Sequence, residues 1–201
     1  MIKRLFDLAL SAVGLIVSAP AWALFALAIK TEDGGPVFFP QARVGLDGRV
    51  FTAMKFRSMV VNAESSSGPV QADEDDPRIT RVGRVLRGTA MDELPQLWNI
   101  FVGDMSFVGP RPLVPGEVEV RGDGRLIRLA DIPGYEARHR IRPGLTGLTQ
   151  VYAARDISRT SKFRLDRLYI QRAGLCLDVK LIVLSFWITG RGAWESREPK
   201  V

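Results

Sequence analysis

Cysteine and histidine are the scarcest residue types in this sequence, since Cys176 and His139 are the only examples of each. A single cysteine excludes an intrachain disulfide, so the sequence carries no sign of an oxidising compartment. We interpret Cys176 as a small buried apolar residue. Because there is no second imidazole, we expect His139 to be packed or hydrogen-bonded rather than to bind a metal or act as a catalytic base.

Acidic residues are too few to balance the basic ones, which leaves a formal net charge of +6. Residues 1–33 carry three basic and three acidic side chains, whereas residues 121–172 carry twelve basic against five acidic ones. Such a surface predicts an anionic partner: a phosphorylated ligand, an anionic lipid or a nucleic acid. Aromatic residues are sparse in the basic region and no helix-turn-helix motif is present, which argues against a nucleic-acid-binding module.

Charged residues are almost absent between Leu5 and Ile29, where Asp7 is the only one. A helix of this length would more than cross the roughly 30 Å apolar core of a bilayer. The residues leave three interpretations open: a cleaved signal peptide, a spanning helix, and a helix that bends and returns to the same face. The apolar run continues past Ala21-Trp22-Ala23, which resembles a cleavage site, and this argues against a signal peptide. Length alone favours a spanning helix.

Pro20 interrupts this apolar run. A proline inside a helix removes one backbone donor and collides with the carbonyl four residues earlier, here that of Ile16. We therefore predict a kink near residues 16–20, where the Ser18 hydroxyl could satisfy the freed carbonyl. Basic residues lie at both ends of the run, so charge does not decide its topology.

Beyond Lys30 the sequence becomes more polar. Two β-favouring runs, Val37 to Phe39 and Arg49 to Met54, flank the sequence GLDG and predict a strand pair with a tight turn. Pro40 restricts the first strand to a sheet edge. Residues 62–77 include four consecutive acids and two prolines and predict a solvated loop, with a metal site as the less favoured alternative.

Two adjacent acids, Asp92 and Glu93, lie in the sequence MDELPQLWN. Apolar residues follow at helical spacing: Leu94, Leu97, Trp98 and Phe101. Because proline is tolerated only in the first turn of a helix, Pro95 predicts a helix that begins near Asp92 or Glu93. Acids at a helix N-terminus ordinarily stabilise its dipole, and taken in isolation this interpretation is favoured.

Neighbouring arginines point to chemistry instead. Arg81, Arg84 and Arg87 are spaced by three and would share one helical face. Arg111 lies between two prolines in the sequence GPRP, which stiffens the backbone around a guanidinium suited to bidentate phosphate contact. Two carboxylates among several arginines at a helix start resemble a phosphoryl-transfer site.

The C-terminal third contains a second arginine series. Arg138, Arg140 and Arg142 alternate along the chain and predict an extended segment that projects them to one side. Residues 178–189 are too few to span a bilayer, and two interpretations stay open: a helix in a membrane interface with Trp187 at headgroup depth, or a buried core helix. We expect a flexible tail from Gly190 onwards.

Three segments carry a family likeness: KFRSM, DPRITRVGRVLRGTAMDELPQLWNIFVGDMSFVGPRPLV and RPGLTGLTQV. With them, the chain resembles the bacterial sugar transferase family, the small monotopic phosphoglycosyl transferases, over essentially its whole length. The resemblance implies transfer of a sugar 1-phosphate from a UDP-sugar to polyprenyl (undecaprenyl) phosphate with release of UMP. This would be the first membrane step in assembling a polysaccharide or glycoprotein glycan.

The resemblance also implies roles for individual residues. Asp92 would be the nucleophile that forms a covalent phospho-sugar intermediate, and Glu93 would help to position a metal ion or the acceptor phosphate. Mg²⁺ held near Asp92 and Glu93 would neutralise developing charge. The implied substrate-binding residues are Lys55, Arg87, Arg111 and, on the nucleotide side, Arg142.

For the N-terminal segment the resemblance implies a re-entrant helix, broken at its proline and inserted into one leaflet from the cytoplasmic face. Family members commonly have serine directly before that proline. Here Ala19 precedes Pro20, and Ser18 lies one position earlier. This topology differs from the spanning helix that length alone favours.

Taken together, we expect a mixed α/β, mostly helical fold: one small membrane-associated domain with a short strand pair, an N-terminal re-entrant membrane helix and interfacial amphipathic helices. The membrane helix would occupy residues 1–30, the catalytic domain residues 31–189 and the tail residues 190–201. Expected partners are a UDP-sugar, polyprenyl phosphate and lipid of the bacterial inner membrane, without nucleic acid; self-association stays open. A non-catalytic membrane scaffold, with Asp92 as a helix cap, is the alternative.

Overall fold

The computed structural model describes residues 1–63, 76–120, 124–154 and 157–191. The α-helices are α1 (Ile2–Asp33), α2 (Arg81–Gly88), α3 (Gln96–Val102), α4 (Tyr135–Arg138), α5 (Leu148–Tyr152), α6 (Arg159–Arg172) and α7 (Leu175–Gly190). The strands are β1 (Phe38–Val44), β2 (Val50–Phe56), β3 (Ser106–Val108), β4 (Val118–Val120), β5 (Leu126–Arg128) and β6 (Gly144–Thr146). Most of the predicted acidic loop (64–75) and of the predicted tail (192–201) lies outside the described residues.

The predicted strand pair is confirmed. Strands β1 and β2 are antiparallel, with Phe38 opposite Phe56 and Val44 opposite Val50. Pro40 lies in β1, whose ladder partner among the described residues is β2, apart from a single bridge between Val44 and Leu113, so the edge position of Pro40 is also confirmed. The described residues form two further pairs, β3 with β6 in parallel and β4 with β5 antiparallel. These strands have three residues each, too few for an alternating pattern to reveal them.

The N-terminal apolar run forms α1, a helix long and apolar enough to cross a membrane by length and composition. One face of α1 packs on the rest of the chain: Asp7, Ser11 and Ile29 are buried. Ile16 and Val17, midway along α1, are 76% and 73% exposed. The helix therefore presents an unpartnered apolar surface around its middle, which is the property expected of a segment in contact with lipid.

The N-terminal end of α1 is attached to the globular part by charged side chains. Lys3 Nζ lies 2.6 Å from the Asp178 carboxylate of α7. The Arg4 guanidinium donates to the carbonyls of Ile100 and Phe101 at the C-terminus of α3, where the helix dipole favours a cation. The lone acid of the apolar run, Asp7, accepts a hydrogen bond from the Phe107 amide of β3 at 3.1 Å.

The C-terminal end of α1 is attached to the same globular part. Ile29 packs with Phe56 of β2 and Leu86 of α2. The Glu32 carboxylate accepts hydrogen bonds from the first two amides of α2, at 2.7 and 3.1 Å, so this acid occupies the helix N-terminus. Asp33 forms an ion pair with Arg57, the residue directly after β2. Both ends of the apolar helix thus contact one folded unit.

The structure corrects the expectation for Ser18. Helix α1 runs without interruption through Ser18, Ala19 and Pro20, and the buried Ser18 hydroxyl finds no hydrogen-bond partner among the described residues. A helical serine reaches only the carbonyls three or four residues before it, so Ser18 is out of register with Ile16, whose carbonyl loses its donor to Pro20. The break that the resemblance implies at this proline stays a prediction.

The main core lies between α1, α3, α6 and α7, with β3 inside it. Its fully buried members include Ile100, Met105, Tyr169 and Leu181. Helix α7 confirms that the C-terminal apolar run is helical and packs on the core, whereas its place in a membrane interface stays a prediction. Its inner face is part of the core, whereas Val183, Phe186 and Trp187 are exposed.

Candidate active site

Asp92 and Glu93 occupy a separate 3₁₀ turn, Met91–Glu93, rather than the first turn of α3. Ala90, directly before this turn, has a left-handed backbone conformation with φ of 55°, which is unfavourable for a residue with a Cβ atom. Pro95 follows, and α3 begins at Gln96, a few residues later than predicted. The two acids therefore stand on a sharp bend, and a simple helix-capping role is a poor description of them.

Glu93 is held by two cations from different parts of the chain. Its Oε1 atom lies 2.6 Å from Lys55 Nζ on β2 and 2.9 Å from Arg111 Nη2 in the loop after β3. Burial alone would raise the pKa of Glu93, but Arg111 and Lys55 outweigh burial and hold this pKa well below its usual range. Glu93 is thus a permanently ionised anchor that orients both cations.

Asp92 lies in a different environment although it is the adjacent residue. Its side chain is 9% exposed, and within the described part of the chain no hydrogen bond reaches its carboxylate. Burial raises the pKa of Asp92 to about 6, assisted by the charge of Glu93 and opposed by Lys55, Arg87 and Arg111. At neutral pH this carboxylate is ionised, weakly solvated and free to attack an electrophile.

A cavity of about 780 Å³ opens onto both acids. Its size is in the range of small-molecule sites. Among the described residues that line the cavity, basic side chains outnumber acidic ones by eight to four. The basic residues are Arg43, Lys55, Arg57, Arg87, Arg111, Arg138, Arg159 and Lys162. The cavity is therefore suited to an anionic ligand with several negative charges.

Five of the six catalytic and substrate-binding residues that the resemblance implies line this cavity: Lys55, Arg87, Asp92, Glu93 and Arg111. Of the three arginines predicted on one face of α2, Arg87 lines the cavity, whereas Arg81 and Arg84 are exposed.

Comparison with known proteins identifies the family of this chain. The sequence model of the bacterial sugar transferase family matches residues 1–192. The chain belongs to this family. It is 43% identical to the undecaprenyl-phosphate glucose phosphotransferase of Komagataeibacter xylinus, over 91% of this chain and 35% of that protein.

Two further relatives differ in how much of their length is shared. A UDP-glucose:undecaprenyl-phosphate glucose-1-phosphate transferase of Klebsiella pneumoniae is 40% identical, over 91% of this chain and 39% of that protein. The exopolysaccharide production protein PSS of Rhizobium leguminosarum bv. phaseoli is 40% identical over 96% of this chain and 98% of that protein. The chain thus spans little more than a third of the first two relatives and nearly all of the third.

The structure places Arg142 of this bacterial sugar transferase away from the cavity. Its Nε atom donates to the carbonyl of Gly103 at 2.8 Å, and Arg142 is not among the described residues that line the cavity. The predicted extended arginine segment is also wrong, because Arg138 ends α4 and a turn follows it. Arg142 thus holds the C-terminal end of α3, where carbonyls lack helical partners.

Two minor predictions are resolved by the fold. His139 is buried against Tyr135, with ring centroids 4.5 Å apart, and burial lowers the pKa of His139 to about 4. It is a packed neutral side chain, as predicted. Cys176 is exposed, so its assignment as a buried residue is wrong: it lies near the start of α7, whose core contacts are made by other residues.

Sequence reasoning did not identify Arg43, Arg159 and Lys162 as cavity residues. Arg159 and Lys162 belong to the basic region that predicted an anionic partner, but composition does not say which of its many cations face a site. The sequence also offered no sign of the partner of Arg138, which forms a buried ion pair with Asp166 of α6 at 3.0 Å. Only the packing of α4 on α6 brings these two residues together.

The donor set for Mg²⁺ is small but suitable. The described residues contain no group of three or more His, Cys, Asp or Glu side chains that could hold a metal. Mg²⁺ is commonly held by one or two carboxylates together with substrate phosphates, so a large protein cage is not required. The bare Asp92 carboxylate and the second oxygen of Glu93 fit that arrangement.

Proposed function

We propose that this protein transfers a sugar 1-phosphate from a UDP-sugar to a polyprenyl phosphate through a covalent intermediate on Asp92. One observation carries the proposal: a bare buried carboxylate lies beside a second carboxylate that orients two cations, in a cavity with a cationic lining. By their names, the first two relatives are an undecaprenyl-phosphate glucose phosphotransferase and a UDP-glucose:undecaprenyl-phosphate glucose-1-phosphate transferase, so UDP-glucose is the first donor to test.

The chemistry consists of two displacements at one phosphorus. An Asp92 oxygen attacks the phosphorus nearest the sugar, a new Asp92 O–P bond forms, and the bond from this phosphorus to the bridging diphosphate oxygen breaks, so UMP leaves. An oxygen of the acceptor phosphate then attacks the same phosphorus and the Asp92 O–P bond breaks. The products are polyprenyl diphosphate-sugar and the original carboxylate.

Basic residues stabilise the charge that moves during both steps. Lys55 and Arg111 are already oriented by Glu93, so they require little reorganisation when the phosphates bind. Arg87 also lines the cavity, and its charge offsets part of the rise in the pKa of Asp92. Asp92 and Glu93 would hold Mg²⁺, which when bound supplies further neutralisation of the diphosphate charge.

Part of the cavity wall is apolar and supports a lipid acceptor. Phe38, Val60 and Val61 line the cavity and are each at least 37% exposed. The Phe38 ring stacks on Phe56 with centroids 5.5 Å apart, and both rings contact Trp22 of α1. The apolar wall therefore adjoins the helix that we assign to the membrane, where the first isoprene units of a polyprenyl phosphate could rest.

We further propose that α1 enters one leaflet and that both of its ends face the cytoplasm at the bacterial inner membrane. Support comes from the contacts at its two ends: Lys3 and Arg4 at one end and Glu32 and Asp33 at the other hold the same folded unit. A helix that spanned the bilayer would separate these ends by roughly 30 Å of hydrocarbon. The exposed residues near Pro20 would then lie deepest.

The enzymatic proposal is tested by incubating the protein with UDP-glucose alone. We expect UMP in an amount no greater than the protein present, and an intact-mass increase of one phospho-sugar. Addition of undecaprenyl phosphate should remove the adduct and permit turnover. A requirement for both substrates before any UMP appears, or an adduct mapped to Glu93, would contradict the assignment. Binding to membranes without UMP release from any of a panel of UDP-sugars would favour the scaffold alternative.

The topology is tested with two single-cysteine variants in a Cys176→Ser background, Ile2→Cys and Thr31→Cys. Both positions are exposed, so a membrane-impermeant thiol reagent should label both after permeabilisation and neither in intact cells. Labelling of one variant alone in intact cells would establish a spanning helix. Pro20→Leu should shift α1 toward spanning, because it restores the missing backbone donor and removes the cause of bending.

A further inference from the structure

The loop that carries Arg111 is held through its backbone at every residue from Gly109 to Leu113. Each of the five carbonyls accepts a hydrogen bond from a residue outside the loop, at distances between 2.6 and 3.4 Å. In chain order, the donors are the Gln150 side chain, the Gly144 amide, the Arg138 guanidinium, the Arg43 guanidinium and the Val44 amide. Two prolines further restrict this segment.

Positioning through the backbone adds to the orientation that Glu93 gives, because the Arg111 side chain is partly exposed. That side chain is 48% exposed and contacts Glu93 through one nitrogen. A long exposed side chain has many rotamers, and orienting it costs conformational entropy. A fixed Cα position reduces the number of ways in which the Arg111 guanidinium can miss the phosphate.

Arg138 provides the contact at Arg111 itself. Its Nη2 atom donates to the Arg111 carbonyl at 2.6 Å, and its Nε atom donates to Asp166 at 3.0 Å. Thr149 donates to the other oxygen of Asp166 at 2.7 Å, and Arg138 lies over the Phe163 ring at 4.7 Å. Arg138 and Asp166 are each 3% exposed, so two opposite charges are buried within the cavity wall itself.

We infer that Arg138, oriented by Asp166 and Thr149, is a positioning residue that acts on phosphoryl transfer through the backbone of Arg111. A buried ion pair is often no more stabilising than an apolar replacement of similar volume, so stability alone is a weak reason to bury one here. A displacement of about 1 Å in a catalytic group can reduce the rate roughly 100-fold. The ion pair, the hydroxyl and the five-carbonyl loop together make such a displacement costly.

The test is a double-mutant cycle between Arg138→Lys and Arg111→Ala, read as kcat and KM for UDP-glucose in the complete reaction. Lysine keeps the charge but cannot bind Asp166 and the Arg111 carbonyl with one planar fork. We expect Arg138→Lys to lower kcat by about 10- to 100-fold in the wild-type background while KM changes little. In the Arg111→Ala background the same substitution should have almost no effect, because the group that it positions is gone.

Asp178→Asn is the matched control. Asp178 is another buried acid with a cationic partner and a hydroxyl donor, Lys3 and Tyr169, but it is not among the cavity residues. Its replacement should lower thermal stability without changing kcat of the folded fraction. If Arg138→Lys does not fold, Thr149→Val is the milder variant: it removes one donor to Asp166 and should reduce kcat a few-fold, again only when Arg111 is present.

This inference rests on the proposed function only through the assay. A wild-type protein that releases no UMP from any UDP-sugar would remove the proposed function itself. If the wild type is active and the fold-reductions in kcat caused by the Arg138 and Arg111 substitutions simply multiply in the double variant, the inference is overturned and the proposed function stands. A raised KM with unchanged kcat would also overturn it, because that result assigns Arg138 to direct substrate binding.

Discussion

Asp92 and Glu93 are neighbours in the chain, yet their carboxylates have different contacts and opposite pKa shifts in the cavity. Glu93 contacts Lys55 and Arg111 directly, and its pKa lies well below the usual range. Asp92 has no hydrogen-bond partner in the described structure, and burial raises its pKa to about 6. The comparison shows how one short turn can divide two tasks: the ionised, paired carboxylate organises the cations, and the bare one retains its nucleophilicity.

The largest expected effect separates the two acids by chemistry. Asp92→Asn should abolish the phospho-sugar adduct and reduce turnover on the order of 10⁴-fold or more, because an amide is a poor nucleophile toward phosphorus. Glu93→Gln should slow the reaction but leave adduct detectable by intact mass, since Glu93 orients other groups. Equal loss of adduct in both variants would end the division of tasks proposed here.

The second effect concerns the cations that Glu93 orients. Arg111→Ala should lower kcat/KM by roughly 100-fold, about 3 kcal/mol of transition-state stabilisation. Arg111→Lys should recover part of this loss, because a point charge lacks the planar fork of the guanidinium. Arg142→Ala serves as the control: its guanidinium contacts Gly103 and it is not among the cavity residues, so kinetic constants of the folded protein should be unchanged.

The third effect is on the pH dependence of the first half-reaction. Only ionised Asp92 can attack, so the rate of UMP release should fall about tenfold per pH unit below pH 6. In Glu93→Gln this acidic limb should move to lower pH. The negative charge of Glu93, which adds to the effect of burial on the pKa of Asp92, is then gone. Lys55 and Arg111 are also released to pair with Asp92. An acidic limb that stays in place would show that the two carboxylates are electrostatically independent.

The smallest effect is on folding stability, and its sign follows from the same pKa. Folded Asp92 has a raised pKa of about 6 against a usual value of 3.8, so its ionised form disfavours folding above pH 6. The free energy of unfolding of Asp92→Asn, measured relative to wild type, should therefore be higher at pH 8 than at pH 4. The difference should be up to about 3 kcal/mol. Thermal melting of both proteins across this range measures the difference, and a pH-independent difference would contradict a buried, bare carboxylate.

Much of the site could be anticipated from the chain because its chemistry is concentrated in short motifs. MDELPQLWN and GPRP each place charged residues beside conformationally restricted ones, and Asp92, Glu93 and Arg111 do line one cavity. Arg142 looked similar, being followed by proline and glycine, but its guanidinium faces α3. A local motif restricts the backbone conformation, but the direction of a long side chain depends on the tertiary contacts around it.

Short elements and remote partners were beyond sequence reasoning for a related reason. The three-residue strands β3 to β6 have no period to detect, and they form because distant segments supply their hydrogen-bond partners. Arg138 and Asp166 are 28 residues apart and appear in the sequence as two ordinary surface charges. Their burial follows only from the packing of α4 and α6.

The amino-acid sequence by itself determined the long apolar helix, the β1–β2 pair, the excess of cations and the acidic pair, because each is encoded by neighbouring residues through periodicity, conformational restriction or charge. Tertiary structure alone decided that both ends of α1 contact one folded unit, and that Lys55 and Arg111 bind Glu93 rather than Asp92. Burial and Coulomb interactions depend on distances in space, so two adjacent acids with similar side chains acquired different pKa values only when the chain had folded around them.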